Sequence, residues 1–199
     1  MLDPKTRILA FRLLVLVSCA SPAIWLIWQW FFGDLGPVPS EAMVHFTGQT
    51  GLILLLITIA FSPAFRLSGW VGVMIARRQI GLWAFFWLLA HLLGWAWLEL
   101  SWDWEWIWIE IVELPYLRYG LAALLLLVPL VLTSVRRAQE AMGWTAWHWL
   151  HRLIYISAAL GVTHYWILTR ADYLLPSIAV ATLAVLVVFR LVDAAIHRQ

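Results

Sequence analysis

The chain has 199 residues, of which 64% are hydrophobic and 12% charged, with a formal net charge of +2, whereas soluble domains carry about 45–50% apolar and about 25% charged residues. That composition excludes a water-soluble globular domain. The single cysteine, Cys19, excludes an intramolecular disulfide, an all-cysteine zinc site and a four-cysteine iron–sulfur cluster.

The solvent for this chain is the lipid bilayer. Six stretches are predicted to cross it, at 8–32, 46–65, 79–100, 120–135, 149–169 and 173–192. Lipid tolerates no unpaired backbone, and the alternating polarity of a membrane barrel is absent, so the predicted fold is an all-α membrane protein. It is expected to be a six-transmembrane-helix bundle in a single domain spanning 1–199. The first stretch contains Leu16-Val17-Ser18-Cys19 after a basic start, which imitates a lipoprotein signal. Arg12 interrupts its apolar region, and apolar sequence continues to Phe32, whereas a signal core is only about 7–15 residues. Cys19 is therefore expected to be a packed thiol. The turn-rich GDLGPVPSE at 33–41 leads to the second stretch, with His45 at its mouth, and SPAF at 62–65 closes it. Arg77 and Arg78 precede the third, which holds His91. SWDWEWIWIE at 101–110 then alternates tryptophan with acid, and an interfacial tryptophan belt is expected there, the sharper alternative being a docking surface for a partner, oriented by the acids. The short fourth stretch is followed by the fifth, HWLHRLIYISAALGVTH and beyond, carrying His148, His151 and His164, and His197 lies in the tail. No Walker loop or GxGxxG fingerprint is present, and nothing indicates a nucleic-acid partner.

Orientation follows from the basic residues. With the N-terminus inside, Lys5, Arg7, Arg12, Arg66, Arg77, Arg78, Arg136, Arg137, Arg152, Arg190 and Arg198 fall on the cytoplasmic side and only Arg118 and Arg170 outside, eleven against two. Both termini are expected inside. His91, twelve residues into the third stretch, and His164, fifteen into the fifth, then share a depth in the middle to outer half. His151 lies about 19.5 Å lower along its helix at 1.5 Å per residue, near the cytoplasmic surface.

A lone membrane histidine is as readily a packing residue hydrogen-bonded to a neighbouring helix as a functional one. Matched depth and small neighbours favour function. Gly94 stands one turn from His91, while Gly161 and Ser157 share the helix side of His164, leaving room for a flat macrocycle. Neutral imidazole is a good axial ligand for haem iron. Thirteen residues before His164 stands His151, and thirteen before His91 stands Arg78; on an ideal helix such a pair points about 140° apart. A guanidinium has no lone pair for iron, but it suits a haem propionate or a flavin phosphate.

HFTGQTG at 45–51, ARRQIGLW at 76–83, AHLL at 90–93, LPYLRYG at 114–120, LTS at 132–134, WLHRLIY at 149–155 and THY at 163–165 occur in an order that resembles one family. It is the MsrQ/YedZ family of haem-binding membrane subunits of the periplasmic methionine-sulfoxide reductase system, in the ferric-reductase-like transmembrane group. The resemblance implies an inner-membrane protein that binds haem b and FMN and takes electrons from quinol or a cytoplasmic flavin reductase. It passes them to the periplasmic molybdopterin subunit MsrP, where the substrate chemistry takes place. The haem-ligand positions it implies are His91, His151 and His164. Arg78 stands where the broader group has a fourth histidine, and Arg77 and Arg78 remain candidates for cofactor anions.

Iron held by two histidines has no open position for substrate, which suits electron transfer. The competing class is a proton-coupled transporter with His91, His151 and His164 as a relay. It calls for a buried carboxylate near midspan, and Glu99 and Asp172 lie at outer ends. An anchoring subunit without redox activity would leave the matched depths of His91 and His164 unexplained.

Overall fold

The computed structural model describes residues 3–196, and all the regular structure in them is helical. The chain divides into two compact units at Trp102 and Asp103. His197 and Arg198 lie outside the described residues.

The first unit holds α1 (Pro4–Phe32), α2 (Pro39–Ser68) and α3 (Val71–Gly94), and a π-helical turn over Trp95–Glu99 extends α3. Pro39 opens α2 at a position whose missing N–H costs nothing. Gly69 closes it in the left-handed region at φ 64°, donating its N–H to the Phe65 carbonyl. With only Gly69 and Trp70 between them, α2 and α3 fold back as an antiparallel pair. α1 lies against α3 and runs in the same direction: the Gln79 amide donates to the Arg12 carbonyl and the Trp87 indole N–H to the Cys19 carbonyl, each at 3.1 Å. Val15, Cys19, Ala76 and Ile80 form the buried core between them, so Cys19 is a packed thiol, as expected, and α1 continues unbroken beyond it.

The second unit holds α4 (Trp104–Glu113), α5 (Pro115–Leu132), α6 (Arg136–Met142), α7 (Trp144–His151), α8 (Leu153–Leu168) and α9 (Leu174–Ile196). Asp103 caps α4, its carboxylate accepting from the Glu105 and Trp106 amides. α5 and α8 pair antiparallel, fixed by the Ser157 hydroxyl on the Ala123 carbonyl at 2.8 Å, and α9 packs on α8. Large apolar side chains such as Phe32, Leu125 and Leu174 face outward, while small ones such as Ala84, Ser157 and Ala158 are fully enclosed. This arrangement suits lipid, where helices associate through close packing and not by hiding apolar surface from water.

Five helical segments are long and apolar enough to cross a membrane: Thr6–Phe32, Pro39–Ser68, Val71–Glu99, Pro115–Leu132 and Leu174–Ile196. The predicted stretch 149–169 departs from a single helix. It breaks at Arg152 into the end of α7 and the 16-residue α8, which is about 24 Å long at 1.5 Å per residue. The ideal 140° relation between His151 and His164 therefore does not apply, because the two residues are not on one regular helix.

Candidate functional site

His91 lies one turn from the end of α3, half-buried against α2. Its Nδ1 is 2.8 Å from the Val44 carbonyl oxygen. A carbonyl can only accept, so Nδ1 carries the proton and the ring's lone pair is on Nε2. The ring lies directly on Gly48: a Cβ there would stand 2.8 Å from Nδ1 and 3.0 Å from Cε1.

The second unit repeats this arrangement. His164 on α8 places Nδ1 2.7 Å from the Tyr116 carbonyl oxygen on α5, which again puts the lone pair on Nε2. Its ring lies on Gly120, where a Cβ would stand 2.9 Å from Nδ1 and 3.1 Å from Cε1. In each unit the accepting carbonyl comes four residues before the glycine and seven before a buried small residue, Gly51 or Ala123. Seven residues before each histidine is a fully enclosed small residue, Ala84 or Ser157. The helix pairs α2–α3 and α5–α8 are thus built to one plan and present imidazoles of one tautomer.

His151 is held differently. Its Nε2 is 3.1 Å from the Thr133 hydroxyl oxygen, and its ring stacks on Trp147 with centroids 3.9 Å apart. The Trp147 indole N–H donates to the Thr133 carbonyl at 2.9 Å. The Thr133 hydroxyl is also 2.6 Å from the Pro129 carbonyl, which takes its proton, so His151 is the donor in its own contact with Thr133. His151 thus has the tautomer opposite to that of His91 and His164, with its lone pair on Nδ1.

Arg77 is half-buried and Arg78 exposed on the first turns of α3, thirteen residues or more before His91, about 19.5 Å along the helix. Arg152 stacks over the Trp149 ring at 3.9 Å. His148 packs on Trp144 at 4.2 Å, and His45 is exposed, 3.9 Å from Glu41. Asp193, which the transporter reading did not consider, is buried and paired with Arg190 at 3.7 Å. It stands three residues from the end of α9 and so does not supply a midspan carboxylate.

Gly48, Gly120, Val44, Tyr116, Thr133 and Trp147 were not picked out from the sequence as parts of a site. A signal for the glycines was present in VHFTG and YLRYG, as a glycine four residues after the carbonyl each histidine uses. A backbone acceptor, however, has no residue-type signature.

Residues 47–162 match the family described as "Ferric reductase like transmembrane component". Among its relatives, the chain is 43% identical over 188 residues to the "Protein-methionine-sulfoxide reductase heme-binding subunit MsrQ" of Rhodospirillum rubrum, covering 94% of this chain and 90% of that protein. The proteins of the same name from Deinococcus radiodurans and Caulobacter vibrioides are 39% and 36% identical, over 85% and 89% of this chain and 84% of each of theirs. Together with the five long apolar helices, these matches make it a multi-pass protein of the bacterial inner membrane. The chain belongs to the ferric-reductase-like transmembrane family, and within it to the MsrQ group.

Proposed function

We propose that the protein is the electron-transfer subunit of a periplasmic methionine-sulfoxide reductase, with His91 and His164 as axial ligands of b-type haem. The observation that carries this reading is the repeated histidine seat. In both units Nδ1 is committed to a backbone carbonyl, so the nitrogen that bears the lone pair is Nε2. A carbonyl on the far ring nitrogen orients a metal-ligating histidine and strengthens it as a donor. Haem, when bound, supplies a one-electron carrier. The chain's own part is to fix the two imidazoles, exclude water with its apolar helices and provide charged surfaces at either side of the bilayer.

Six crossings with both termini inside place His91 and His164 in the outer half, toward a periplasmic catalytic subunit of the molybdopterin type, MsrP. The exposed indoles of α4, with its exposed acids Glu105 and Glu113, are the docking face for it. Electrons come from quinol or a cytoplasmic flavin reductase. His151, Arg77 and Arg78 belong to the inner side, where the guanidiniums are suited to hold FMN phosphate or haem propionates. The test is reduction in membrane vesicles: with quinol or a flavin reductase as donor, added oxidised MsrP should be reduced by vesicles carrying the wild-type chain. Equal reduction with vesicles that lack the chain would refute the assignment.

A further inference from the structure

Why is each histidine seated on a glycine? In an α-helix the carbonyl of residue i already accepts the amide of residue i+4, and the Cβ of residue i+4 tilts back over that turn. An outside donor to such a carbonyl lies beside the i+4 side chain, and at Val44 it shares the oxygen with the Thr47 hydroxyl, 2.8 Å away. The i+4 residues of Val44 and Tyr116 are Gly48 and Gly120. A methyl group at Gly48 would meet His91 Nδ1, Cε1 and Cγ at 2.8, 3.0 and 3.3 Å, and one at Gly120 would meet the same atoms of His164 at 2.9, 3.1 and 3.2 Å. These atoms belong to a rigid ring tethered by its own hydrogen bond, so relief requires the ring to move off the carbonyl.

We propose that Gly48 and Gly120 are positioning residues that set the ring plane and the electron-donating strength of the two histidines. The proposal rests on the reading that these histidines ligate haem iron. A short Nδ1–H to carbonyl bond makes the imidazole the more electron-rich ligand, which stabilises ferric over ferrous iron. Replacing either glycine by alanine lengthens that bond and turns the ring. The seat therefore holds the reduction potential down. Because the device occurs independently in two units, it gives two separate trials of the same idea.

The experiment uses the full-length chain purified with its haem. Gly48→Ala and Gly120→Ala are compared with wild type by redox titration and by low-spin electron paramagnetic resonance. The control lies on the same helix as His91: a Cβ at Gly81 would meet the Thr58 side chain at 3.2 Å and no histidine. The expected result is retained haem, a higher midpoint potential and altered low-spin g-values in both seat variants, with wild-type values in Gly81→Ala. Wild-type g-values and potential in both seat variants would overturn the proposal, as would an equal shift in Gly81→Ala, which would mark a general packing effect. If one seat variant fails to fold, the other carries the test. His91→Ala and His164→Ala, run in parallel, separate the two levels. Loss of haem there with silent glycine variants removes only the positioning role, whereas unchanged spectra in the histidine variants remove the ligation reading as well.

Discussion

Three histidines of one residue type have two chemistries here, and the difference lies in what their ring nitrogens touch. His91 and His164 donate from Nδ1 to backbone carbonyls, whereas His151 donates from Nε2 to the Thr133 hydroxyl and lies on Trp147. Thr133→Val removes the hydroxyl while keeping the shape, and leaves a histidine proton to be re-paired. It should lower stability by about 1 kcal/mol, read by thermal unfolding in detergent; a melt equal to wild type would mean that the contact contributes nothing. The proposed inner-side role of His151 and Arg78 gives a kinetic prediction. His151→Ala and Arg78→Ala should slow reduction of the haem by the cytoplasmic donor in stopped-flow measurements, while the haem's own spectrum changes little. Wild-type rates in both variants would take the inner face out of the electron path. The histidines and arginines were legible in the sequence because charge and imidazole are conspicuous in an apolar chain. Their partners were not, because carbonyls of Val44 and Tyr116 are contributed by backbone that any residue could supply.

At the level of helices, the α2–α3 and α5–α8 pairs depend on small residues at their crossings. Ala84 and Ser157 are fully enclosed, and Ser157 spends its hydroxyl on the Ala123 carbonyl. Ser157→Ala should cost about 1 kcal/mol for the lost hydrogen bond. Ala84→Leu should cost about 1–3 kcal/mol because the helices must separate. Thermal melts in detergent should rank the variants in that order, and an Ala84→Leu protein as stable as wild type would contradict the close-packed crossing. The apolar stretches were readable because lipid selects strongly for them, but their ends were less so. α2 begins at Pro39 and not near 46, and α5 at Pro115 and not near 120, since a proline at the first helical turn starts a helix before the apolar run does. The break at Arg152 has neither proline nor glycine to announce it. In 102–108 the tryptophan alternation imitates a two-residue period, yet Asp103 caps a helix there, so Trp104 and Trp108 share one side of it and Trp106 emerges on another, all exposed.

For the molecule as a whole, the eleven-to-two division of basic residues is the basis of the proposed orientation, with both termini inside, on which the helix lengths alone say nothing. Reporter fusions test the proposed six crossings: one after Gln199 should report a cytoplasmic location and one within 101–118 a periplasmic one, and a periplasmic tail would end the scheme. No close repeat is visible in the sequence, because the two units share only four kinds of position: carbonyl, glycine, small residue and histidine. These positions recur with the same intervals within each helix, and that is enough to build two matching histidine seats. The account's central claim is that these seats serve haem. The most direct measurement is the reduced-minus-oxidised absorption spectrum of the purified wild-type protein beside His91→Ala and His164→Ala. The account predicts a low-spin b-type spectrum in the wild type that is lost or converted to another spin state in each variant. A colourless wild-type protein, or two variants with full haem content and the wild-type spectrum, would contradict it.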